Sequence, residues 1–119
     1  MKSVVVLGAS ANPDRYSNKA VRSLLKRGYH VIPVGRQEGL IENLPILTCM
    51  PDIENVHTVL MYISQANQLE YYDYILKLKP KRIIFNPGTE NYDFGLKASR
   101  HNIECVYDCA LIMLSTKTF

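Results

Sequence analysis

Apolar residues in this chain come in short continuous runs separated by amphipathic segments. Ser3–Leu7 is such a run, closed by Gly8. Its unbroken apolarity is that of a strand buried on both faces, as in a parallel sheet. From about Ser17 to Arg27, Ala20, Val21, Leu24 and Leu25 recur at helical spacing, and Lys19, Arg22, Lys26 and Arg27 take the opposite face. Gly28 ends that helix as a left-handed cap. Tyr29–Val34 reads as the second strand and His57–Tyr62 as the next clear one. A helix is predicted over Gln65–Leu78, with Asn67 and Glu70 forming a capping box, Ser64 competing as the cap, and Leu69, Tyr72, Ile75 and Leu76 facing the sheet. Pro80 stops it. Arg82–Phe85 is a further strand, Glu90–Arg100 a weak helix with Gly95 inside it, Ile103–Tyr107 the last strand, and Ala110–Leu114 a helical turn. The stretch from 36 to 54 is irregular, with an extended piece at Leu44–Leu47 and a short helical turn at Pro51–Ile53.

Strands alternating with helical crossovers are the pattern of an α/β fold. Right-handed crossovers then give a three-layer sandwich around a parallel sheet of about five strands. The whole chain, 1–119, reads as one domain. Ligands of such sheets bind beyond the carboxyl ends of the strands, at the topological switch point. The residues to interrogate are therefore Gly8–Asn18, Val34–Arg36, Met61–Ser64, Asn86–Glu90 and Asp108–Ala110.

Composition narrows the partners. The 119 residues are 47% hydrophobic and 21% charged, ordinary for a globular chain and against disorder. The net charge of +3 is scattered, and its clusters Lys26-Arg27 and Lys77–Arg82 sit at expected helix ends, where cations suit the dipole. No basic face or motif points to nucleic acid. No apolar stretch approaches a membrane span, and the run Val4–Leu7 is too short for a signal peptide, so a cytoplasmic location is expected. Cys49, Cys105 and Cys109 form neither a disulfide framework nor a zinc pattern, and no metal site is expected.

The first loop carries the strongest chemical signal. Gly8 permits a sharp exit from the first strand; Ala9 and Ser10 are small enough for a phosphate to approach the backbone. Backbone N–H groups and the following helix N-terminus make an anion site, with Ser10, Asn12, Ser17 and Asn18 as neutral donors and Lys19 or Arg15 as charges. The loop is not a dinucleotide fingerprint, which would need glycine at Ser10 and Pro13, nor a P-loop, nor a nucleophile elbow. At the second strand's exit, Val34-Gly35-Arg36 has no carboxylate to hold two ribose hydroxyls, which counts against NAD, whereas Arg36 attracts a phosphorylated ribose.

The segments Val4–Pro13 and Gly28–Val34 together resemble the small stand-alone CoA-binding proteins, which are similar to the CoA-binding domain of the succinyl-CoA synthetase α-subunit. Asn86–Asn91 and Cys109–Thr116 resemble later segments of that family, so the likeness runs from Ser3 to about Thr116. The resemblance implies a Rossmann-like fold with coenzyme A or an acyl-CoA across the strand ends. It implies that Gly8, Ser10 and Asn12 hold the diphosphate side; Ala9, Ser17 and Lys19 join the expected site from the reading of the loop itself. It places Val34, Gly35 and Arg36 at the adenosine 3′-phosphate, Met61, Tyr62 and Ile63 along the adenine or pantetheine path, and Asn86 and Gly88 in the late loop of the site. Where many relatives have Asn-Pro after the second strand and Arg-Pro after the third, this chain has Val34-Gly35 and Ile63-Ser64.

No catalytic residue is assigned. The synthetase phosphohistidine lies in a second domain, and His30, His57 and His101 read as structural. A non-catalytic binder of a small-molecule nucleotide cofactor is the leading expectation. The alternatives are an NAD(P)-linked or other nucleotide-dependent enzyme, and a regulatory or scaffold subunit with a vestigial site. The tyrosines Tyr71, Tyr72 and Tyr74 on one predicted helix offer a surface for a homo-oligomer. Cys109, just past the last strand, reads as a buried, unreactive cysteine, with the alternative that its sulfur reaches the ligand mouth if that strand adjoins the site.

Overall fold

The computed structural model describes residues 2–119. Its elements, in chain order, are β1 (Ser3–Leu7), α1 (Tyr16–Lys26), β2 (His30–Val34), β3 (Leu40–Ile41), β4 (Leu44–Pro45), β5 (Val56–Met61), α2 (Tyr72–Leu78), β6 (Arg82–Phe85), α3 (Tyr92–Ser99), β7 (Glu104–Tyr107) and α4 (Ala110–Ser115). The main sheet is parallel, in the order β2-β1-β5-β6-β7. β1 is central enough to be apolar on both faces, and Val4 to Leu7 are wholly buried. Val5, Leu7, Val59, Met61, Ile83 and Phe85 pack on one face against Ile75 and Leu78 of α2 and Phe94 and Ala98 of α3. Val4, Val6, Leu60 and Ile84 pack on the other against Ala20, Val21 and Leu24 of α1 and Met113 and Leu114 of α4. The result is the expected α/β three-layer, Rossmann-like sandwich with a five-stranded parallel sheet.

Three local expectations need correction, and a fourth is made more definite. The helix expected over Gln65–Leu78 is regular only in α2; Gln65–Asn67 and Leu69–Tyr71 are separate 3₁₀ turns. The cause is Gln68, fully buried, whose Nε2 donates to the carbonyls of Ile63 (2.8 Å) and Thr89 (2.7 Å). That anchor pulls the chain toward the sheet edge and turns Leu69 outward, 73% exposed, where the helical pattern placed it inward. The capping box does not form: Asn67 donates to the Ser64 hydroxyl and Glu70 meets Arg36. Pro51–Ile53 is not helical; it runs under Tyr74, whose hydroxyl donates to the Pro51 carbonyl. The extended piece near Leu44 is half of a small antiparallel hairpin, β3 with β4.

The three clustered tyrosines are engaged within the chain. Tyr71 is buried, Tyr72 stacks on Phe94 at 4.1 Å, and Tyr74 bonds Pro51. No helix among the described residues is long and apolar enough to cross a membrane.

Candidate functional site

From β1 the chain goes to β2 on one side, then to β5 on the other, so the switch point lies at β1. A cleft of about 590 Å³ opens there, within the range of ~300–1,000 Å³ usual for small-molecule and cofactor sites. Its walls are the exit loops of β1, β2, β5 and β6.

The β1 exit loop is braced from within. Gly8 turns at φ +91°, and a Cβ there would lie 3.0 Å from the Tyr62 carbonyl. The N–H groups of Gly8 and Ala9 both donate to the Val34 carbonyl, at 2.9 and 3.0 Å, so they hold the loop and are not free for a ligand. Ser10 Oγ accepts from the Asn12 N–H (3.1 Å) and Asn12 Oδ1 from the Asp14 N–H (3.0 Å). Asn18, buried in α1, donates to the Ser10 carbonyl and accepts from Arg22, whose other arm reaches the Pro13 carbonyl. What remains unpaired among the described residues is the N–H of Ser10 and of Ala11, with the first-turn N–H groups of α1. Arg15, the N-cap, supplies no side-chain cap, and α1 is 11 residues long. Unpaired donors and the positive end of a helix therefore meet at one wall of the cleft. Ser17, nine-tenths buried, stands in that wall.

Gly35 follows β2. A Cβ on it would lie 2.4 Å from the Ala9 carbonyl oxygen, so any other residue would push the two loops apart. Arg36 stands at the mouth, and its Nη2 donates to Glu70 Oε1 at 2.7 Å. Both side chains are more than half exposed. Tyr62 and Ile63 line the cleft from the β5 exit. The Tyr62 hydroxyl is buried without a hydrogen-bond partner. Burial, and then the neighbouring Cys109, push its pKa well above the usual phenol range, so it stays protonated. Opposite, Gly88 turns at φ +90° with its N–H donating to Glu90 Oε1 (2.9 Å).

Of the residues expected from sequence, Gly8, Ala9, Ser10, Asn12, Ser17, Gly35, Arg36, Tyr62, Ile63 and Gly88 line this cleft. Four do not. The side chains of Val34 and Met61 are buried under the helices that cover one face of the sheet. Asn86 is buried, donating to the Met61 carbonyl (3.0 Å) and accepting from the Ala110 N–H (2.9 Å); it ties β5, β6 and α4 together. Lys19 lies on the outer side of α1, its ammonium 5.4 Å over the Tyr16 ring. Cys109 sits beside Tyr62 and is not part of the cleft wall; the N–H after it is already bonded to Asn86.

Tyr71 lines the cleft although the helical pattern gave it no such place, because the 3₁₀ turn at Leu69–Tyr71 redirects it. Glu70 was legible only as a capping residue; its contact with Arg36 spans 34 positions and has no local signal. His57 lies at the opposite edge of the sheet, at the start of β5. Among the described residues no group of three or more His, Cys, Asp or Glu converges as a metal site. Open backbone donors at a helix N-terminus make this wall suited to an anionic group, and among the described residues the cleft wall includes no histidine or cysteine beside its serines.

A family model described as CoA binding domain matches residues 2–115. An uncharacterized protein of known crystal structure is 47% identical, with a TM-score of 0.97 over 100% of this chain and 98% of that one. A protein from Thermus thermophilus shares the fold at 21% identity, with a TM-score of 0.86 over 99% of this chain and 90% of that one. An acetyl-coenzyme A synthetase from Ca. Korarchaeum cryptofilum, solved with phosphate and ADP, contains a similar fold at 17% identity. Its TM-score is 0.71, over 90% of this chain and 25% of that one. No curated protein matches the chain.

Proposed function

We propose that this chain, which belongs to the CoA binding domain family, binds coenzyme A or an acyl-CoA in the cleft at β1 and carries out no chemistry on it. One observation carries the proposal: the free N–H groups of Ser10, Ala11 and the first turn of α1 face the cleft at the switch point of a CoA-family sheet. They are the natural seat of the diphosphate. Gly8 and Gly35 let the loops close to backbone distance and keep that seat open. Arg36 takes the ribose 3′-phosphate, and Tyr62 and Ile63 border the adenine or the pantetheine arm. Ser17 offers a hydroxyl to the diphosphate from the same wall. Burial keeps the phenol of Tyr62 protonated.

Titration calorimetry of the protein with CoA and with NADPH tests this. CoA is expected to bind and NADPH to bind more weakly. Absence of a CoA signal at millimolar ligand, or tighter binding of NADPH, overturns the proposal.

A further inference from the structure

Arg36 lines the cleft and is paired with Glu70, which stands outside the cleft wall next to the lining residue Tyr71. Arg36 follows β2 and Glu70 lies in the 3₁₀ turn beyond β5. Since β1 lies between β2 and β5, the pair joins the two loops that flank the exit of β1. It is the sole salt bridge among the described residues. Local secondary structure does not explain it: Glu70 is not in a capping box, and the two residues are brought together only by the turn that Gln68 anchors.

We infer that Glu70 is a counter-charge gate that sets how strongly the site selects a phosphorylated ribose, an inference that rests on the CoA proposal above. The guanidinium is the cation that favours a 3′-phosphate, and in the free protein Glu70 occupies it. A dianionic phosphate arriving at Arg36 meets the Glu70 carboxylate as a like charge and displaces it. Both partners are more than half exposed, so the pair is weak and readily exchanged. Glu70 thereby lowers affinity for any ligand bearing the extra phosphate and leaves ligands without it untouched. It acts through Arg36 and is a specificity-determining residue, not a contact of the nucleotide.

Calorimetry with CoA and dephospho-CoA, which differ only in the 3′-phosphate, reads this out in wild type, Glu70→Gln, Arg36→Gln and the double variant. Glu70→Gln is expected to tighten CoA about two- to fivefold, the range of an exposed ion pair, with dephospho-CoA changed less than about 1.5-fold. In the Arg36→Gln background the gain from Glu70→Gln should shrink to the repulsion alone, so CoA should bind no tighter than dephospho-CoA in Arg36→Gln itself, and the two should bind alike in the double variant. Equal effects of Glu70→Gln on both ligands, or weaker CoA binding, overturn the gate while leaving the CoA proposal standing. Failure of both ligands to bind the wild type is a different result: it overturns the CoA proposal and the gate with it.

Discussion

At Gly35 the chain has no room for a side chain, and the reason is another loop's carbonyl 2.4 Å from where a Cβ would stand. Residue-scale constraints of this kind sit side by side with ligand-facing ones at the strand exits. Sequence marked Gly35 and Arg36 together, yet one is packing and the other is charge. His57 is a residue whose ionisation matters to the fold. Burial, then the cations of Lys2, Arg82 and Lys81, hold its pKa below the usual imidazole range. Thr58 Oγ1 accepts from Arg82 Nε (2.9 Å) and lies 2.8 Å from His57 Nδ1, so the imidazole packs beside a guanidinium, a setting that favours its neutral form. The unfolded imidazole titrates near ~6.5, above the folded value, so between the two the unfolded chain binds more protons. The stability that comes from neutral His57 is complete above about pH 6.5 and is lost as pH falls through the folded value. Urea midpoints at pH 7.5 and pH 5 should therefore drop less in His57→Gln than in wild type; an equal or larger drop in the variant contradicts this role.

At the scale of elements, strands and α1 were legible because their patterns are local. Ser3–Leu7 is β1 to the residue, and Gly28 caps α1 at φ +85°. The segment 65–71 was not legible as 3₁₀ turns, because the competing force is a buried polar side chain reaching across the fold. Gln68 meets Thr89, 21 positions away, and Asn91 closes the network at 3.1 Å. The same blindness applies to Asn86, which sequence placed among the ligand contacts and whose side chain joins three elements. Truncation by Asn86→Ala leaves the Ala110 N–H buried and unpaired and weakens the hold on the Met61 carbonyl. The expected loss is about 1–3 kcal/mol of unfolding free energy, measured by denaturant titration. A loss under roughly 0.5 kcal/mol, with CoA binding abolished, would return Asn86 to the ligand.

For the whole molecule, strand count, parallel direction and the place of the cleft all followed from the alternation of runs and crossovers, because a parallel sheet must be wound with its loops at one edge. The order β2-β1-β5-β6-β7 puts a strand paired on both sides and buried from Val4 to Leu7 at the switch point, so the loop that forms the site grows from a fully packed strand. What the sequence could not reveal is which donors in that loop are already used. The Gly8 and Ala9 N–H groups, nearest the turn, belong to Val34, and the open ones lie further along. This division gives the central claim its sharpest test. Backbone amide NMR during a CoA titration should move Ser10, Ala11, Tyr16 and Ser17 most, with Gly8 and Ala9 moving less and the β7 edge at Glu104–Tyr107 still. If CoA instead shifts amides at the opposite end of the sheet, near His57 and Lys81, or leaves the α1 N-terminus unmoved at saturation, the cleft at β1 is not where this protein holds its ligand.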